Sequence, residues 1–238
     1  MTWVFCAGMI RSGSTLQFQL ASNIIERAGL GHRMKYVPES EFEPLVGSNT
    51  NDTEMRVFKA HICTPVMADL CHSEKAMVVY CYRDIRDVAV SALRKFDMTF
   101  DALIDAQWLD QAIYDFRAWT GTPNVLISCY EDTIGDLRNE VFRISSFLGA
   151  NLGNEEINLL AKQFTIPAQK QRIEAVRRRE SGTIATKDSV YDEYELLHHN
   201  HIHKGEVGGW RVELSSDQQR FLTERYKPWL LSLHYSCD

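Results

Sequence analysis

The chain has 238 residues, of which 45% are hydrophobic, and this length and density fit one domain with a sizeable core. It contains no run of about 20 apolar residues, so no membrane-spanning helix is predicted. The net charge of −6 argues against a general nucleic-acid binder, which is more often basic, and any phosphate site is therefore expected to be local.

The first predicted element is a strand, because residues 2–9 form a short apolar run that ends near a glycine. Further apolar runs predict strands at residues 55–61, 75–83 and 124–130. Helical spacing of apolar residues predicts helices at residues 14–29, 64–74, 85–96, 99–121, 136–150 and 154–164. Strands that alternate with helices predict an α/β fold in which a parallel sheet is flanked by helices.

The character of the chain changes near residue 167, where a polar stretch rich in histidine and glycine runs to residue 210. Loops of this length inside a domain are usually either disordered or functional. A capped helical pattern returns at residues 215–235, and a foldable element after the polar stretch favours a lid over a tail. We therefore predict a single domain over residues 1–238, with a flexible C-terminal lid at 167–210 that covers a ligand.

Residues 8–15 (GMIRSGST) come close to a phosphate-binding loop between the first strand and the first helix. Gly8, Gly13 and Thr15 match the usual pattern, whereas Ser14 occupies the position of its lysine. Backbone N–H groups and the helix N-terminus would then face an anion. The alternative is a tight turn in which the glycines serve geometry alone. The missing lysine argues against a Mg²⁺-dependent ATP or GTP hydrolase.

A second candidate anion site follows the strand at 75–83. Arg83 ends this strand and Ser91 lies on the next helix, at the carboxyl edge of the sheet where ligands bind in open α/β folds. Arginine can donate two parallel hydrogen bonds to phosphate oxygens, so Arg83 and Ser91 are predicted to bind an anion together. The alternative is a surface salt bridge of Arg83 or Arg86 with Asp84 or Asp87.

These stretches, with a third near the C-terminus, resemble the sulfotransferases that use 3′-phosphoadenosine 5′-phosphosulfate (PAPS). The family's Lys/Arg-Ser-Gly-Thr/Ser-Thr loop corresponds to residues 11–15, and its Arg-(Asp/Asn)-x-(Arg/Lys)-Asp-x-x-x-Ser segment corresponds to residues 83–91. Its Lys-Gly-x-x-Gly-x-Trp motif corresponds to residues 204–210. The resemblance covers most of the chain. It implies a P-loop sulfotransferase fold and transfer of a sulfuryl group from PAPS to an acceptor hydroxyl or amine, without a metal.

The resemblance also implies how the cofactor is held, with the 5′-phosphosulfate on the loop and the 3′-phosphate on the other two motifs. The cofactor contacts would be Arg11, Ser12, Gly13, Ser14, Thr15, Arg83, Ser91, Tyr130, His203, Lys204 and Gly205. The sequence departs from the family at two positions. Leu16 stands where a tryptophan usually follows the loop, and His203 replaces an arginine before Lys204.

Three residues would carry catalysis by the same resemblance. Arg11 would stabilise the charge that develops on the oxygen between sulfur and the 5′-phosphate. Lys59 and His61 match a Lys-Thr-His sequence at the end of the second strand of cytosolic relatives, with Ala60 in place of threonine. Lys59 would contact the phosphate or the sulfuryl oxygens. His61 would accept the proton of the acceptor, since its ordinary pKa of about 6.5 lies near working pH.

The assignment of the base has two alternatives. His61 could simply cap the following helix. Membrane-anchored relatives with an arginine in the loop use a glutamate downstream of the first helix, and Glu39 and Glu41 lie there. Of these candidates we favour His61.

Four histidines lie close together at His198, His199, His201 and His203. Structural zinc sites usually space their ligands more widely and often add cysteines, so no metal site is predicted. Two other functions stay open: a nucleotide-dependent P-loop kinase, and a non-enzymatic His-rich metal-binding or interaction protein on a degenerate P-loop scaffold.

The expected acceptor is a small molecule, a glycan or a lipid with a hydroxyl, and no nucleic-acid partner is expected. The six cysteines form no Cys-x-x-Cys pair, and the apolar N-terminus lacks a basic region and a cleavage site. These features predict a cytoplasmic protein without a signal peptide. The sequence predicts no oligomeric state.

Overall fold

The computed structural model describes residues 2–47, 53–178, 182–185, 190–199, 202 and 205–238. Its centre is a five-stranded sheet of β1 (Thr2–Gly8), β2 (Gly31–Arg33), β3 (Met55–Lys59), β4 (Ala76–Tyr82) and β5 (Val125–Cys129). The strands all run parallel, in the order β2-β3-β1-β4-β5. The predicted α/β fold and its parallel sheet are confirmed. The carboxyl ends of β1, β3 and β4 lie side by side, which brings distant parts of the sequence to one edge.

One strand of the central sheet escaped prediction. β2 has only three residues, Gly-His-Arg, and contains no apolar run. It pairs with β3 at the edge of the sheet, where a strand can form without a fully buried sequence.

Helices cover both faces of the sheet. In the described part of the chain they are α1 (Ser14–Arg27), α2 (Glu43–Gly47), α3 (Pro65–His72), α4 (Ile85–Phe96), α5 (Phe100–Asp105), α6 (Trp108–Thr120), α7 (Tyr130–Gly135), α8 (Leu137–Phe147), α9 (Asn154–Gln163), α10 (Ile166–Arg178), α11 (Trp210–Glu213), α12 (Ser216–Arg225) and α13 (Lys227–Ser232). A short 3₁₀ turn, Glu39–Glu41, precedes α2.

Alternating side chains of β1 supply both halves of the core. Trp3 and Phe5 point to the face covered by α6, where they form an aromatic cluster with Phe42 and Phe58. Val4 and Cys6 point to the opposite face, against apolar residues of α1. A strand buried on both faces is expected at the centre of a parallel sheet.

The single helix predicted over residues 99–121 is wrong, because the chain breaks between α5 and α6. Gln107 adopts a left-handed conformation, with φ of 55°. Leu103 of α5 and Ala112 of α6 are both buried. At about 100° per residue they would lie on opposite faces of one continuous helix, so the break lets both segments turn their apolar side to the core.

The polar stretch predicted as a loop or lid begins instead with α10. This helix buries Gln169, Ile173 and Val176, which lie on one helical face. The many charged residues of the helix hide this pattern in the sequence. Two short antiparallel strands follow, β6 (Thr183–Ala185) and β7 (Val190–Asp192). Within the described ranges, no helix is both long and apolar enough to cross a bilayer.

Candidate active site

Ser12 shapes the loop between β1 and α1 from the protein interior. Its buried hydroxyl lies 2.7 Å from the carbonyl oxygen of Met9 and 2.9 Å from that of Cys81 in β4. The Cys81 thiol in turn donates to the carbonyl oxygen of Ser12. The sequence places Ser12 among the cofactor contacts, but its side chain faces inward and ties the loop to the neighbouring strand.

The loop ends in a helix N-terminus suited to an anion. Gly13 precedes α1 with φ of 89°, and no side chain caps this end of the helix. The first N–H groups of a helix have no partner within it, and the helix dipole favours negative charge there. Gly13, Ser14 and Thr15 line a large cavity at this edge of the sheet. The residues of the loop therefore have the geometry of a phosphate site.

Lys59 and His61 meet the loop where β3 ends. The Nζ atom of Lys59 lies 3.1 Å from Oγ of Ser14 and 3.2 Å from Nε2 of His61. On the other side of the ring, Nδ1 of His61 lies 2.9 Å from the carbonyl oxygen of Gly8. A carbonyl oxygen can only accept a hydrogen bond, so the contact with Gly8 assigns the proton to Nδ1 and leaves Nε2 as an acceptor.

Both groups have a lowered pKa. Burial lowers the pKa of Lys59 to about 8. The positive charge of Lys59, and then burial, lower the pKa of His61 to about 3, against the opposite effect of its bond to Gly8. At neutral pH the site therefore combines a protonated lysine with a neutral histidine whose unprotonated nitrogen faces it.

The two glutamates considered as alternative bases lie outside the cavity wall. Oε1 of Glu39 accepts from the backbone N–H of His61 at 2.6 Å and lies 3.4 Å from that of Ile62. Glu41, on the same 3₁₀ turn, is exposed. The contact between Glu39 and His61 could not be predicted from the sequence, because it joins residues 22 positions apart.

Arg11, Arg83 and Ser91 form a second cluster at the carboxyl edge of β4. Nε of Arg11 donates to Oγ of Ser91 at 3.0 Å. The guanidinium of Arg83 lies 4.4 Å from the ring centre of Tyr130 and donates to the carbonyl oxygen of Glu206 at 2.6 Å. Burial, and then the charge of Arg83, lower the pKa of Arg11 to about 10. The side chain of Arg11 is thus directed towards Ser91.

Asp87 joins this cluster to the C-terminal segment. Its carboxylate accepts from the backbone N–H groups of Gly208 and Trp210, at 2.7 and 3.0 Å, and lies 3.6 Å from Arg83. In the sequence, Asp87 is part of the segment that resembles the family motif, and the alternative is a surface salt bridge with Arg83; both residues are in fact buried. The position of Asp87 four residues after Arg83, in the first turn of α4, is the sequence signal for a contact between the two.

The second salt bridge considered for this region, between Arg86 and Asp84, supports the fold. Arg86 and Asp84 form a buried ion pair with a distance of 2.7 Å. Arg86 also stacks on the Trp210 ring and donates to the carbonyl oxygen of Ser236. These contacts fix the C-terminal residues to the start of α4.

The cavity has a volume of about 740 Å³ and joins both clusters. Its wall includes Lys59, His61, Arg11, Arg83, Ser91, Tyr130 and Gly205 of the predicted site, together with Leu16 and Phe164. Apolar and aromatic side chains line it as well, among them Ile10, Tyr36, Val90, Phe96 and Ile202. These residues could not be identified from the sequence, because an apolar residue that lines a cavity has the same sequence pattern as one in the core or in a loop.

Two predicted cofactor residues, His203 and Lys204, lie outside the described residues, as does His201. His198 lines the cavity with its ring stacked on Tyr191, and the ring of His199 contacts the backbone of Val190. Across the ranges that the structure describes, no group of three or more His, Cys, Asp or Glu side chains could hold a metal ion.

The fold is that of known sulfotransferase structures. A mouse sulfotransferase complexed with PAP, the adenosine 3′,5′-bisphosphate product of PAPS, superposes with a TM-score of 0.68 at 20% identity, over 96% of this chain and 84% of that one. Retinol dehydratase in a complex with retinol and PAP superposes with a TM-score of 0.66 at 22% identity, over 96% and 81%.

The sequence is similar to curated sulfotransferases. A 3-alpha-hydroxysteroid sulfotransferase of Cavia porcellus is 28% identical over 72% of this chain, and the match spans 62% of that protein. An amine sulfotransferase of Oryctolagus cuniculus is 24% identical over 92% of this chain and 77% of its own length. The sulfotransferase domain model matches residues 2–233. The chain therefore belongs to the sulfotransferase domain family, which confirms the resemblance seen in its motifs.

Proposed function

We propose that this protein transfers a sulfuryl group from PAPS to a hydroxyl or amine of an acceptor molecule. The observation that carries the proposal is the contact of Lys59 with both Ser14 and His61 on the wall of one cavity. It joins a phosphate-type loop to an unprotonated histidine nitrogen, which are the two parts that sulfuryl transfer needs. The family and the PAP-bound structures of similar fold support the same reaction.

In the proposed reaction, the acceptor oxygen forms a bond to sulfur while the bond from sulfur to the 5′-phosphate oxygen breaks. The leaving PAP keeps the electron pair of that bond. The proton of the acceptor hydroxyl passes to Nε2 of His61. Positive charge beside the leaving oxygen stabilises the transition state, and Lys59 and Arg11 are the proposed donors.

The low pKa of His61 in the free protein is compatible with this role. Its main cause is the charge of Lys59. An anionic substrate bound next to Lys59 would offset that charge and raise the pKa of His61 towards working pH. Substrate binding would thereby strengthen the base at the moment when it is needed.

We assign the 3′-phosphate to Arg83 and Ser91, which lie on the same cavity wall, with Lys204 as a further contact outside the described residues. Gly205 lines the cavity too, and Asp87 holds the backbone of Gly208 beside it. These contacts support a cofactor-covering role for the end of the predicted lid at 167–210.

The acceptor we propose is a small molecule with a hydroxyl or amine. The names of the relatives include steroid and amine sulfotransferases, and the cavity has an apolar part formed by residues such as Ile10, Val90 and Phe96. We further propose that the protein works in the cytoplasm. Its six cysteines are all free thiols, which supports a reducing compartment.

The first test is calorimetry of the wild-type protein with PAP, adenosine 5′-phosphate, ATP with Mg²⁺, and Zn²⁺. We expect PAP to bind at least about tenfold more tightly than adenosine 5′-phosphate, since one hydrogen bond to a charged group is worth about 1.5–3 kcal/mol. Transfer of labelled sulfate from PAPS to a panel of phenols, steroid alcohols and amines then identifies the acceptor class.

Equal affinities for PAP and adenosine 5′-phosphate would show that there is no 3′-phosphate site and would contradict the proposed function. Tight ATP binding with phosphoryl transfer would favour the kinase alternative. Tight zinc binding without PAP binding would favour the metal-binding alternative.

A further inference from the structure

The backbone of His61 is held at both of its polar atoms by side chains from other elements. Oε1 of Glu39 accepts from its N–H group at 2.6 Å, and the indole Nε1 of Trp119 donates to its carbonyl oxygen at 2.9 Å. The ring is fixed separately by the contact of Nδ1 with the carbonyl oxygen of Gly8. Three contacts from three elements thus determine where Nε2 points.

Glu39 sits on a rigid support. Phe42 follows the 3₁₀ turn of Glu39 immediately, is fully buried, and packs with ring centres 4.8 Å from both Trp3 and Phe58. The turn is therefore anchored in the aromatic core while its carboxylate reaches the loop after β3. A hydrogen bond from an N–H group to a carboxylate is stronger than one between neutral groups, so it holds the main chain well.

We propose that Glu39 is a positioning residue that holds His61 in line with the substrate, an inference that rests on the proposed sulfuryl transfer. Glu39 does not line the cavity, whereas His61 does. Its Oε1 atom is already directed at the N–H groups of His61 and Ile62. The carboxylate acts through the histidine backbone and takes no proton from the acceptor.

The test compares Glu39→Ala, Glu39→Gln and the control Glu41→Ala, which changes an exposed glutamate on the same turn. A displacement of a reacting group by about 1 Å can cost about 100-fold in rate, so we expect Glu39→Ala to lower kcat about 10- to 100-fold. Its PAP affinity should stay within about twofold, because the phosphate contacts are elsewhere. Glu39→Gln should keep most of the activity, since its amide oxygen accepts the same bonds. Glu41→Ala should match the wild type.

Two results would overturn the inference. If Glu39→Gln is as inactive as Glu39→Ala, the charge of the carboxylate is what matters, as the base or beside Lys59, and its hydrogen bonds to the backbone are not its role. If Glu39→Ala keeps wild-type kcat, or loses PAP affinity in parallel with kcat, positioning of His61 is not its role.

A spectroscopic measurement separates this inference from the proposed function. The Nδ1 proton of His61 can be sought by nuclear magnetic resonance without any cofactor, and we expect its bond to Gly8 to slow its exchange with water. We expect that protection to persist in Glu39→Gln and Glu41→Ala and to fall in Glu39→Ala. A wild type without sulfotransferase activity would defeat the proposed function. Unchanged protection in Glu39→Ala would defeat the positioning role whatever the activity.

Discussion

The charge of Lys59 controls the protonation of His61. The lysine is buried beneath the loop, and its charge is the main reason why the histidine is neutral. The histidine nitrogen in turn accepts a hydrogen bond from the lysine, at 3.2 Å. A substrate that contacts the lysine therefore changes the basicity of the histidine, so binding and proton transfer are electrostatically linked.

His61→Ala should leave PAP affinity nearly intact and lower turnover by about 100-fold or more, the usual scale for a general base. The measurement is kcat for sulfate transfer next to a PAP binding curve. His72→Ala is the matched control, because His72 is an exposed histidine on α3. A mild effect of His61→Ala together with loss of turnover in Glu39→Gln or Glu41→Gln would show that the assignment of His61 as the base is wrong.

PAP affinity should fall as the pH rises through about 8, the value to which burial lowers the pKa of Lys59. The anion is bound best by the protonated lysine, so above this pH binding must take up a proton and the Kd rises by up to about tenfold per pH unit. Other groups facing Lys59 are Glu39, Cys6, Cys81 and Arg11. Burial raises the pKa of Cys6 to about 12 and that of Cys81 further, and the pKa of Arg11 is about 10.

Lys59→Met supplies the control for this titration. Without the lysine, the affinity for PAP should be weaker at pH 7 and nearly independent of pH up to about 9, where arginine begins to contribute. A wild-type protein whose PAP affinity is constant over this range would show that Lys59 does not face the bound anion.

The break between α5 and α6 is an element-scale feature with a stability cost. A residue other than glycine in the left-handed region is strained by about 1–2 kcal/mol, and Gln107 is such a residue. Gln107→Gly should therefore stabilise the protein by about 0.5–1 kcal/mol, after the greater chain entropy of glycine is subtracted. In thermal unfolding this corresponds to a rise in Tm of roughly 1–3 °C.

Ala106→Gly provides the opposite case on the adjacent exposed residue. Ala106 has an ordinary right-handed helical conformation, so glycine there should lower stability by about 0.5–1 kcal/mol. Two variants that shift Tm in the same direction would contradict the left-handed geometry of Gln107.

Elements with strong apolar periodicity could be predicted from the sequence. β1, β3, β4 and β5 are short apolar runs, and α4 matched its prediction at both ends. The failures share a physical cause, since each depends on tertiary contacts. β2 forms because it pairs with β3. The break at Gln107 allows Leu103 to be buried. The buried residues of α10 are separated in the sequence by charged residues.

For the whole molecule, the sheet order explains why three distant motifs meet. β1 lies between β3 and β4, so the loop after β1 has Lys59 and His61 on one side and Arg83 on the other. The C-terminal segment closes the same edge through Asp87. The position of the loop, Arg83 and Ser91 at this edge could be predicted from the alternation of strands and helices, and their role in binding phosphate stays a prediction. The inward side chain of Ser12 and the contact of Glu39 could not be predicted, because they depend on which elements become neighbours.

Arg83→Ala should weaken PAP binding by roughly 10- to 100-fold, because a hydrogen bond to a charged group contributes about 1.5–3 kcal/mol. Ser91→Ala should have a smaller effect, since its hydroxyl is neutral. Neither change should alter the affinity for adenosine 5′-phosphate, which lacks the group at this end of the cavity. Calorimetry of the three proteins with both nucleotides measures this. Equal losses for the two nucleotides would make Arg83 a support of the loop, through its contacts with Tyr130 and Glu206, and not a 3′-phosphate contact.

The packing of Tyr130 on Gly13 also has an evolutionary consequence. A side-chain carbon at residue 13 would lie only 2.8 Å from the tyrosine ring, and the backbone there has a φ of 89°. The shape of the loop at Gly13 thus depends in part on Tyr130, which lies 117 positions further along the chain. A lineage that shrank the residue at 130 would remove this contact, but the left-handed backbone would still disfavour a side chain at 13. Position 13 should therefore stay glycine even where position 130 changes.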